Sequence, residues 1–564
     1  MQAGNVRTSA RWWALATIAL GVSLVIMDAT VVNVATPVVI RELGLDATQA
    51  EWINAVYALM LASLLLTLGR VGDLYGRRLL FGGGIAIFML ASVVAGLAAD
   101  GGVLIGARAV QGAGAAMILT STLSTLNALF HGRERGIAFA VWGATIGGMA
   151  AVGPLVGGWL TTDVSWRWAF WLNVPFGVLV LIGILRVVPE TRGADARVGF
   201  DVAGAALSAL GMGAVVFGLI EGESYGWWRG ADGGLSPVPV VLAAGVVLVA
   251  VFVGRTLRRA RAGRTVLVDL HVAAQPTYRY GAIAALIVAF GEFGLLFTLP
   301  LLLQNALGYT ALGTGALILA LAVGTFLVSG MTAQLTARIG SRAVVRIGLG
   351  LEAVSVAGLA LTLSDGMSGW VIAAWLFGYG VGVGMATAQL TSVVLHNVPV
   401  ADSGEASGLL STIRQLGSAL GVAVLGGLLV STLASHTERA VAGLGLPDGV
   451  TAPLVEAIRR SLGAIIPALE ADPSTAAVGE AARTALIDAS AVVTLIAAGI
   501  IAVGLLATLL LPRSADGALR DAVPGQPEPA ARTARDAPSA QAAGPAPVAA
   551  AGSRMDDDGE ETRS

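Results

Sequence analysis

The sequence of 564 residues contains no cysteine and no lysine, and only 12% of its residues are charged. The missing cysteine excludes disulfides, thiolate metal sites and cysteine nucleophiles. The missing lysine excludes the phosphate-binding lysine of a P-loop, so we expect no ATP-driven domain of that kind. A soluble protein carries about 25% charged residues. This chain is instead 56% hydrophobic, which predicts an integral membrane protein surrounded by lipid.

Other classes of function also lack support in the composition. The formal net charge of -2 gives no indication of nucleic-acid binding. No catalytic constellation is present, and the histidines show no metal-ligand spacing, so we predict neither an enzyme nor a metal or cofactor protein. The four histidines are His131, His271, His396 and His436. Any energy for work must then come from an ion gradient or from the gradient of the substrate itself.

Long apolar runs predict fourteen transmembrane helices. A bilayer core of roughly 30 Å requires about 20 mostly apolar helical residues. The predicted spans are 12–38, 50–68, 79–99, 102–127, 137–161, 168–188, 200–221, 236–256, 279–303, 312–334, 343–364, 369–395, 406–434 and 486–511. The first run is longer than the core of a signal peptide, so we interpret it as an uncleaved anchor. The fold class is therefore all-α and membrane-spanning.

The distribution of arginine predicts the orientation of these spans. Arginines concentrate in the segments that this count places on the side of the N-terminus, which the positive-inside rule assigns to the cytoplasm. An even number of spans then places both termini in the cytoplasm. We expect a multi-pass protein of the cell membrane.

The span count divides the chain into four regions. These are an N-terminal six-helix half (1–190), an inserted helix pair (191–265), a C-terminal six-helix half (266–512) and a disordered cytoplasmic tail (513–564). The C-terminal half includes a long external loop, 435–484. Within it, Pro453–Leu469 has the pattern of an amphipathic helix, which we interpret as a solvated surface helix in preference to a lid.

The loop after the second span has a specific arrangement of glycine and charge. Glycines at 69, 72 and 76 permit a tight turn, and Asp73 is followed by Gly76, Arg77 and Arg78. This G-x-x-x-D-x-x-G-R-R spacing resembles the signature loop of the major facilitator superfamily. The resemblance implies a conformational latch formed by Gly69, Asp73, Gly76 and Arg77. In it, Asp73 would lie at a helix N-terminus in the other half, near Ser403–Ala406.

A weaker copy of this loop lies eight spans later, in Gly330–Arg342. Aligning Gly340 with Gly76 puts Ala337 at the position of Asp73. The eight-span offset fits two six-span halves separated by an inserted pair, and parallel repeats of this kind are the architecture of the superfamily. We therefore expect its fold with fourteen helices, and a charged latch only in the first copy.

Span 1 contains a carboxylate, Asp28, within its apolar run. An unpaired carboxylate in hydrocarbon costs about 2.5–3.5 kcal/mol, so such residues usually serve a function, although a structural bond to a neighbouring helix is the alternative. Span 4 contains Arg108. By helix rise, the two lie about 12 Å and about 9 Å below the outer face, so a pairing is plausible. The span-1 string D-x-T-x-x-N-x-A-x-P, which begins at Asp28, resembles the first-span motif of fourteen-span drug:proton antiporters. The span-4 string R-x-x-Q-G-x-G-A-A, which begins at Arg108, resembles the fourth-span motif of the superfamily, whose arginine is associated with proton transfer. We predict that Asp28 and Arg108 take part in proton coupling.

Span 5 contains the string Gly153-Pro154-x-x-Gly157-Gly158. It resembles the antiporter motif of the superfamily, which occurs in exporters and not in symporters, and its glycine groove would fit the interface between the halves. Generic glycine packing is the alternative, but it would not require Pro154. The string Trp166–Gly177 matches the drug-antiporter pattern, although aromatic residues at the membrane interface would also explain it.

In the second half, Glu292 lies near the centre of span 9 between glycines that would leave room for a ligand. We predict a role in proton coupling and in the substrate cavity. Glu352 in span 11 is equally central, without supporting context. The candidates for lining the cavity are Asn33, Gln111, Glu292, Gln389 and Arg414.

These features together predict a proton-coupled exporter of small lipophilic or cationic compounds. Its expected partners are membrane lipid, protons and a small-molecule substrate, without ATP or nucleic acid, and it would function as a monomer without a cofactor. The alternatives are a dedicated exporter of one antibiotic or metabolite and, less favoured, a non-transporting membrane sensor.

Overall fold

The computed structural model describes residues 8–130, 132–191, 201–229, 234–262, 264, 266, 273–329, 331–395, 398, 403–444 and 448–510. Nearly all of these residues are helical. The helices are α1 (Thr8–Leu43), α2 (Ala47–Tyr75), α3 (Arg77–Gly96), α4 (Gly101–Leu129), α5 (Gly132–Trp159), α6 (Trp168–Trp171), α7 (Asn173–Val187), α8 (Val202–Ile220), α9 (Gly222–Tyr225), α10 (Val238–Arg261), α11 (Pro276–Leu301), α12 (Ala311–Ser329), α13 (Thr332–Ile339), α14 (Ser341–Thr362), α15 (Gly369–Leu395), α16 (Ser403–Ala442), α17 (Asp448–Arg460), α18 (Ile466–Ala471) and α19 (Ala476–Ala507). The expected disordered tail, 513–564, lies outside the described residues.

Twelve helices within the described residues are long and apolar enough to cross a membrane. They confirm an all-α, multi-pass membrane protein. Two further helices, α2 and α5, coincide with the predicted spans 50–68 and 137–161 and have 29 and 28 residues. Several helices extend beyond the apolar runs. The last predicted span, 486–511, begins ten residues late, since α19 starts at Ala476.

A single glycine joins α2 to α3. The structure corrects the predicted turn at Gly69–Arg78, because α2 continues to Tyr75 and only Gly76 leaves the helix, at φ +123°. Gly340 joins α13 to α14 in the same way, at φ +85°. Positive φ favours glycine. The two turns therefore support the alignment of Gly340 with Gly76 as equivalent points of two repeats.

The helices form two groups and a separate pair. The first group is α1–α7, the second is α11–α16 with α19, and α8 packs against α10. Gly211 and Gly245 permit close approach within this pair, since a Cβ on either would meet the other helix at 2.8–3.0 Å. The pair is tied to the first group where Trp52 Nε1 donates to Glu221 Oε1 at 2.9 Å.

The two groups meet at one end of the bundle, here called the distal end, which is the end where α1 terminates at Leu43. There Arg41 Nη1 donates to Asn305 Oδ1 at 3.0 Å. Gln304 Nε2 donates to the carbonyl of Val34 at 2.9 Å. These bonds join α1 to the residues that follow α11. The structure is therefore closed at the distal end.

The segment predicted as a solvated external loop is largely helical and packed. The α16 helix continues to Ala442, and α17 and α18 follow before α19. Ile458, Leu462 and Ile466 are fully buried in the main hydrophobic core. Leu462 adopts φ +50°, which is unusual for a side chain with a Cβ, and its carbonyl accepts a hydrogen bond from Asn305. The α17 helix is amphipathic, since its outer face is exposed and its inner face docks on the distal end.

Candidate functional site

The centre of the first group holds a fully buried polar network around Asp28. Arg108 Nη1 forms an ion pair with Asp28 Oδ2. Asp28 Oδ1 accepts from Gln111 Nε2 at 3.1 Å and from Asn173 Nδ2 at 2.8 Å. The carboxylate of Asp28 therefore has a donor on both oxygens, which is the condition for keeping a charge inside an apolar bundle.

The cation of the pair is held by further contacts. Arg108 Nε donates to the carbonyl of Ile53 at 3.2 Å, and Arg108 Nη1 donates to Gln111 Oε1 at 3.0 Å. The guanidinium lies 4.2 Å from the centre of the Tyr57 ring, a distance at which a cation is attracted to the π face. Tyr57 in turn donates to the carbonyl of Val25 at 3.3 Å. The network thus ties α1, α2 and α4 together.

Ser92 completes the network from α3. Its hydroxyl oxygen accepts from Gln111 Nε2 at 2.7 Å and from Asn173 Nδ2 at 3.2 Å. The helices approach closely enough because α4 carries glycine at its contact points. A Cβ on Gly112 would lie 2.6 Å from the carbonyl oxygen of Tyr57, and one on Gly114 would lie 3.0 Å from the backbone of Gly84. The small residues of the span-4 motif therefore bring the polar groups into hydrogen-bond range.

The structure confirms the pairing of Asp28 with Arg108 that their depths suggested. It places Gln111 inside the network, fully buried, and not on the wall of an open cavity as expected. Asn173 and Ser92 were not predicted. Asn173 stands in the span-6 motif and is polar within an apolar run, which was an available signal. Ser92 gave none, because a lone serine is common in membrane helices.

The residues of the span-5 motif take part in two different helix contacts. Gly157 packs against Val31 of α1, where an added Cβ would meet backbone and side-chain atoms at 2.9–3.0 Å. Gly158 packs against the start of α12, where a Cβ would lie 2.5 Å from the carbonyl oxygen of Ala311. Pro154 lies opposite Gly315, also in α12, and Gly153 lies opposite Thr30 of α1. Pro154 and Gly158 therefore lie at the contact between the two groups, whereas Gly153 and Gly157 pack inside the first group.

In the second group, the structure corrects the reason given for Glu292. Its flanking glycines leave no room for a ligand, because Gly291 packs on Ile501 of α19 and Gly294 packs on Gly421 of α16. Glu292 itself is half-buried, and its Oε2 has no hydrogen-bond partner among the described residues. Arg414, also half-buried, is an electrostatic neighbour of Glu292.

The remaining predicted residues are not brought into the Asp28 network. Asn33 and Gln389 are half-buried on α1 and α15. Gly69 faces Thr120 of α4, with 3.7 Å between an added Cβ and its methyl group. The side chain of Asp73 lies outside the described residues, as do the side chains at 403–405, so its predicted contact with Ser403–Ala406 is not described.

The turn of the signature loop is held by a residue that the sequence did not single out, Glu190. Its Oε1 accepts from the backbone N–H of Arg78 at 3.1 Å, and it occupies the space beside Gly76. Arg77 Nη1 donates to the carbonyl of Ser124 at 3.0 Å, which links the turn to α4. The turn is therefore fastened to the end of α7 as well as to α4.

Comparison with known proteins places this architecture among transporters. The family model described as Major Facilitator Superfamily matches residues 18–422. The chain is 34% identical to the probable actinorhodin transporter of Streptomyces coelicolor, across 77% of this chain and 75% of that protein. It is 35% identical to the puromycin resistance protein pur8 of Streptomyces alboniger, across 79% and 88%. It is 32% identical to the multidrug resistance protein Stp of Mycobacterium tuberculosis, across 79% and 82%.

Among solved structures, the fold is similar to a bacterial homolog of the human lysosomal transporter Spinster in an inward-facing, unoccupied conformation. The TM-score is 0.56 at 18% identity, and the match covers 89% of this chain and 98% of that one. The likeness at this identity concerns the fold alone. With the family match over most of the chain and the paired repeats at Gly76 and Gly340, the chain belongs to the Major Facilitator Superfamily.

Proposed function

We propose that this protein exports small lipophilic or cationic compounds in exchange for protons, by alternating access of a central site to the two faces of the membrane. The observation that carries the proposal is the buried network of Asp28, Arg108, Gln111 and Asn173. A titratable group at the centre of a membrane bundle marks an ion pathway by default. The named relatives, which are exporters and resistance proteins, support the direction of transport.

We also propose fourteen spans, with α2 and α5 crossing the membrane beside the twelve helices already counted. Both are long enough, since 29 residues of helix extend about 43 Å. Fourteen crossings place both termini on one side. The positive-inside rule assigns that side to the cytoplasm, because its loops contain the excess of arginine. The distal end then faces outward, and the structure is closed to the outside.

The Asp28 network suggests how a proton changes the conformation. Protonation of Asp28 would remove the charge that holds Arg108 and would weaken the link between α1 and α4, while Arg108 keeps its bonds to Gln111 and Ile53. Opening at the distal end would let a proton reach Asp28 from outside. The distal end would then close, as in this structure. Asp28 would release its proton to the cytoplasm, and its ion pair with Arg108 would form again.

The gradient would supply the energy for export against a concentration difference. Each unit of pH difference provides about 1.4 kcal/mol per proton. Each net charge moved inward provides about 2.3 kcal/mol per 100 mV. Gly158 would let the two groups move against each other at this contact, because glycine leaves the backbones of α5 and α12 in direct contact.

The test uses purified protein in proteoliposomes with an imposed pH gradient and ethidium as the transported probe. Wild type should accumulate ethidium in the direction opposite to proton flow, and Asp28→Asn should abolish gradient-driven accumulation. Asp163→Asn is the matched control, because Asp163 is an exposed carboxylate at the end of α5, and it should behave as wild type. Equal accumulation by wild type and Asp28→Asn would reject the role of Asp28.

A dedicated exporter of one compound is the second candidate, favoured by relatives that are each named for a single antibiotic. A susceptibility panel of unrelated drugs in a pump-deficient host separates the two. Protection against many compounds supports the multidrug function, and protection against one supports the dedicated exporter. A sensor would protect against none, with or without Asp28.

A further inference from the structure

The second helix group contains a buried carboxyl group, that of Glu352, at the centre of α14. Glu352 lies in the middle of α14, is fully buried, and neither of its carboxyl oxygens has a hydrogen-bond partner among the described residues. It lies where α14 packs against α15. A Cβ on Gly382 of α15 would lie 2.6 Å from Glu352 Cγ, so glycine at 382 provides the space for this side chain.

Two other buried acids, Asp28 and Asp201, are held differently. Asp28 accepts from an arginine and two amides. Asp201, at the start of α8, is bonded to Arg255 at 2.7 Å and lies 3.6 Å from Arg259. Both carboxylates therefore have the donors that an ionised group requires. Glu352 has no donor within the part of the chain that the structure describes, and a buried carboxylate without a donor gives up its charge by taking a proton.

The surroundings of Glu352 are themselves ionisable. Glu352 interacts electrostatically with Glu292 of α11 and Arg414 of α16. Tyr379 of α15 interacts with both glutamates. The Tyr379 hydroxyl is also buried, and the described residues offer it no hydrogen-bond partner. The α19 helix, which packs against α14, has no ionisable residue from 489 to 507. On α14 itself, Arg346 is engaged at the helix start, where Nη2 donates to the carbonyl of Thr508 at 3.1 Å.

We propose that Glu352 is a second proton-binding site, which holds its proton in this distally closed state while Asp28 is ionised. Glu292, half-buried beside it, is the group through which that proton reaches the interior of the bundle. The two helix groups then each carry one proton site, and the sites empty in sequence, Asp28 before Glu352. This inference rests on the proposed proton-coupled function and adds one proton to its count.

The direct test is infrared spectroscopy of the purified full-length protein at pH 7, in H₂O and D₂O. Wild type should show the C=O stretch of a protonated carboxylic acid, and Glu352→Gln should lack it. Glu480→Gln is the matched control, because Glu480 is an exposed glutamate of α19, and it should keep the band. An unchanged band in folded Glu352→Gln, or no such band in wild type, would overturn the proposal.

A second measurement covers the case in which Glu352→Gln does not fold. The double variant Asp28→Asn with Glu292→Gln leaves Glu352 in place and should keep the acid band, whose absence would equally overturn the proposal. In proteoliposomes with ethidium as the probe, the pH gradient that balances a given ethidium gradient reports the number of protons per cycle. This number should fall by one in Glu352→Gln and stay the same in Glu480→Gln. An unchanged number in Glu352→Gln counts against the second site.

The two proposals fail in different ways. If wild type moves no ethidium in response to a pH gradient, the proposed function is wrong, and the infrared band still reports the protonation of Glu352. If wild type is coupled and Glu352→Gln has an unchanged proton count, only the second site is wrong.

Discussion

Replacing Gly158 with alanine should open the distal end of the protein. A Cβ at this position would lie 2.5 Å from the carbonyl oxygen of Ala311 and 2.9 Å from Leu312 Cα. Both are backbone atoms, so no side-chain rotation can relieve the overlap. The start of α12 must instead move by several tenths of an ångström, which separates the two helix groups where they meet.

The size of the effect follows from the cost of overpacking. An extra methyl group in a well-packed contact costs typically about 1–3 kcal/mol. The overlap exists only when the distal end is closed, so this energy disfavours the closed conformation alone. The ratio of open to closed protein should rise by roughly 5- to 150-fold, since 1.4 kcal/mol is a factor of about ten.

The absence of cysteine makes the measurement direct. Spin labels at Asp163→Cys and Ser364→Cys, two exposed positions on the distal surface of the first and second groups, report their separation by pulsed electron resonance. Gly158→Ala should increase the population of long distances. Gly148→Ala is the control, because it lies on the same helix with nothing within 4 Å of an added Cβ.

The control also removes a competing effect. Alanine is a better helix former than glycine by about 1 kcal/mol, and this gain applies to both variants. If the distance distribution of Gly158→Ala matches those of Gly148→Ala and of the spin-labelled protein without either substitution, Gly158 does not control the contact between the groups.

Three further predictions concern charge and hydrogen bonding. Arg108→Gln should destabilise the protein in detergent by about 3–5 kcal/mol, because it leaves Asp28 buried without its cation. Adding Asp28→Asn should restore the melting temperature but not transport. A failure of that rescue would contradict the pairing. Asn173→Ala should cost about 1–3 kcal/mol by removing a donor from Asp28, measured by the same melting experiment, whereas an unchanged melting temperature would mean that this bond is dispensable. Hydrogen bonds from Arg459 and Arg460 lower the pKa of Glu456 to about 2. Its ion pairs therefore persist at every pH above that value and are lost only as the pH falls through it. Hydrogen exchange in α17, corrected for the intrinsic rate, should not differ between pH 5 and pH 8, and faster corrected exchange at pH 5 would contradict this.

Much of the fold follows from hydropathy alone. The described helices overlap all fourteen predicted spans, because an apolar run of about 20 residues has few other ways to satisfy its backbone in lipid. The helix ends were less predictable. The α1 helix continues to Leu43 and α16 to Ala442, past the apolar runs, because polar residues can extend a helix into water without any hydropathy signal.

The candidate site was predictable only in part. Asp28 and Arg108 could be placed at one depth, because helix rise converts sequence position into depth. Asn173 and Ser92 could not be joined to them, because their contacts depend on how α3 and α7 are rotated about their axes. The glycines beside Glu292 were misjudged for the same reason, since rotation decides whether a glycine faces a cavity or another helix.

By itself, the sequence determined the solvent, the helical class and the superfamily resemblance. The low share of charged residues indicates lipid as the solvent, and the motifs carry the resemblance to the superfamily. Only the tertiary structure decided which polar groups are paired. Asp28 and Glu352 look alike as single acids in apolar runs, yet among the described residues Asp28 has three donors and Glu352 has none. Hydropathy fixes depth, whereas hydrogen bonding depends on the lateral packing and rotation of neighbouring helices, which one-dimensional pattern does not encode.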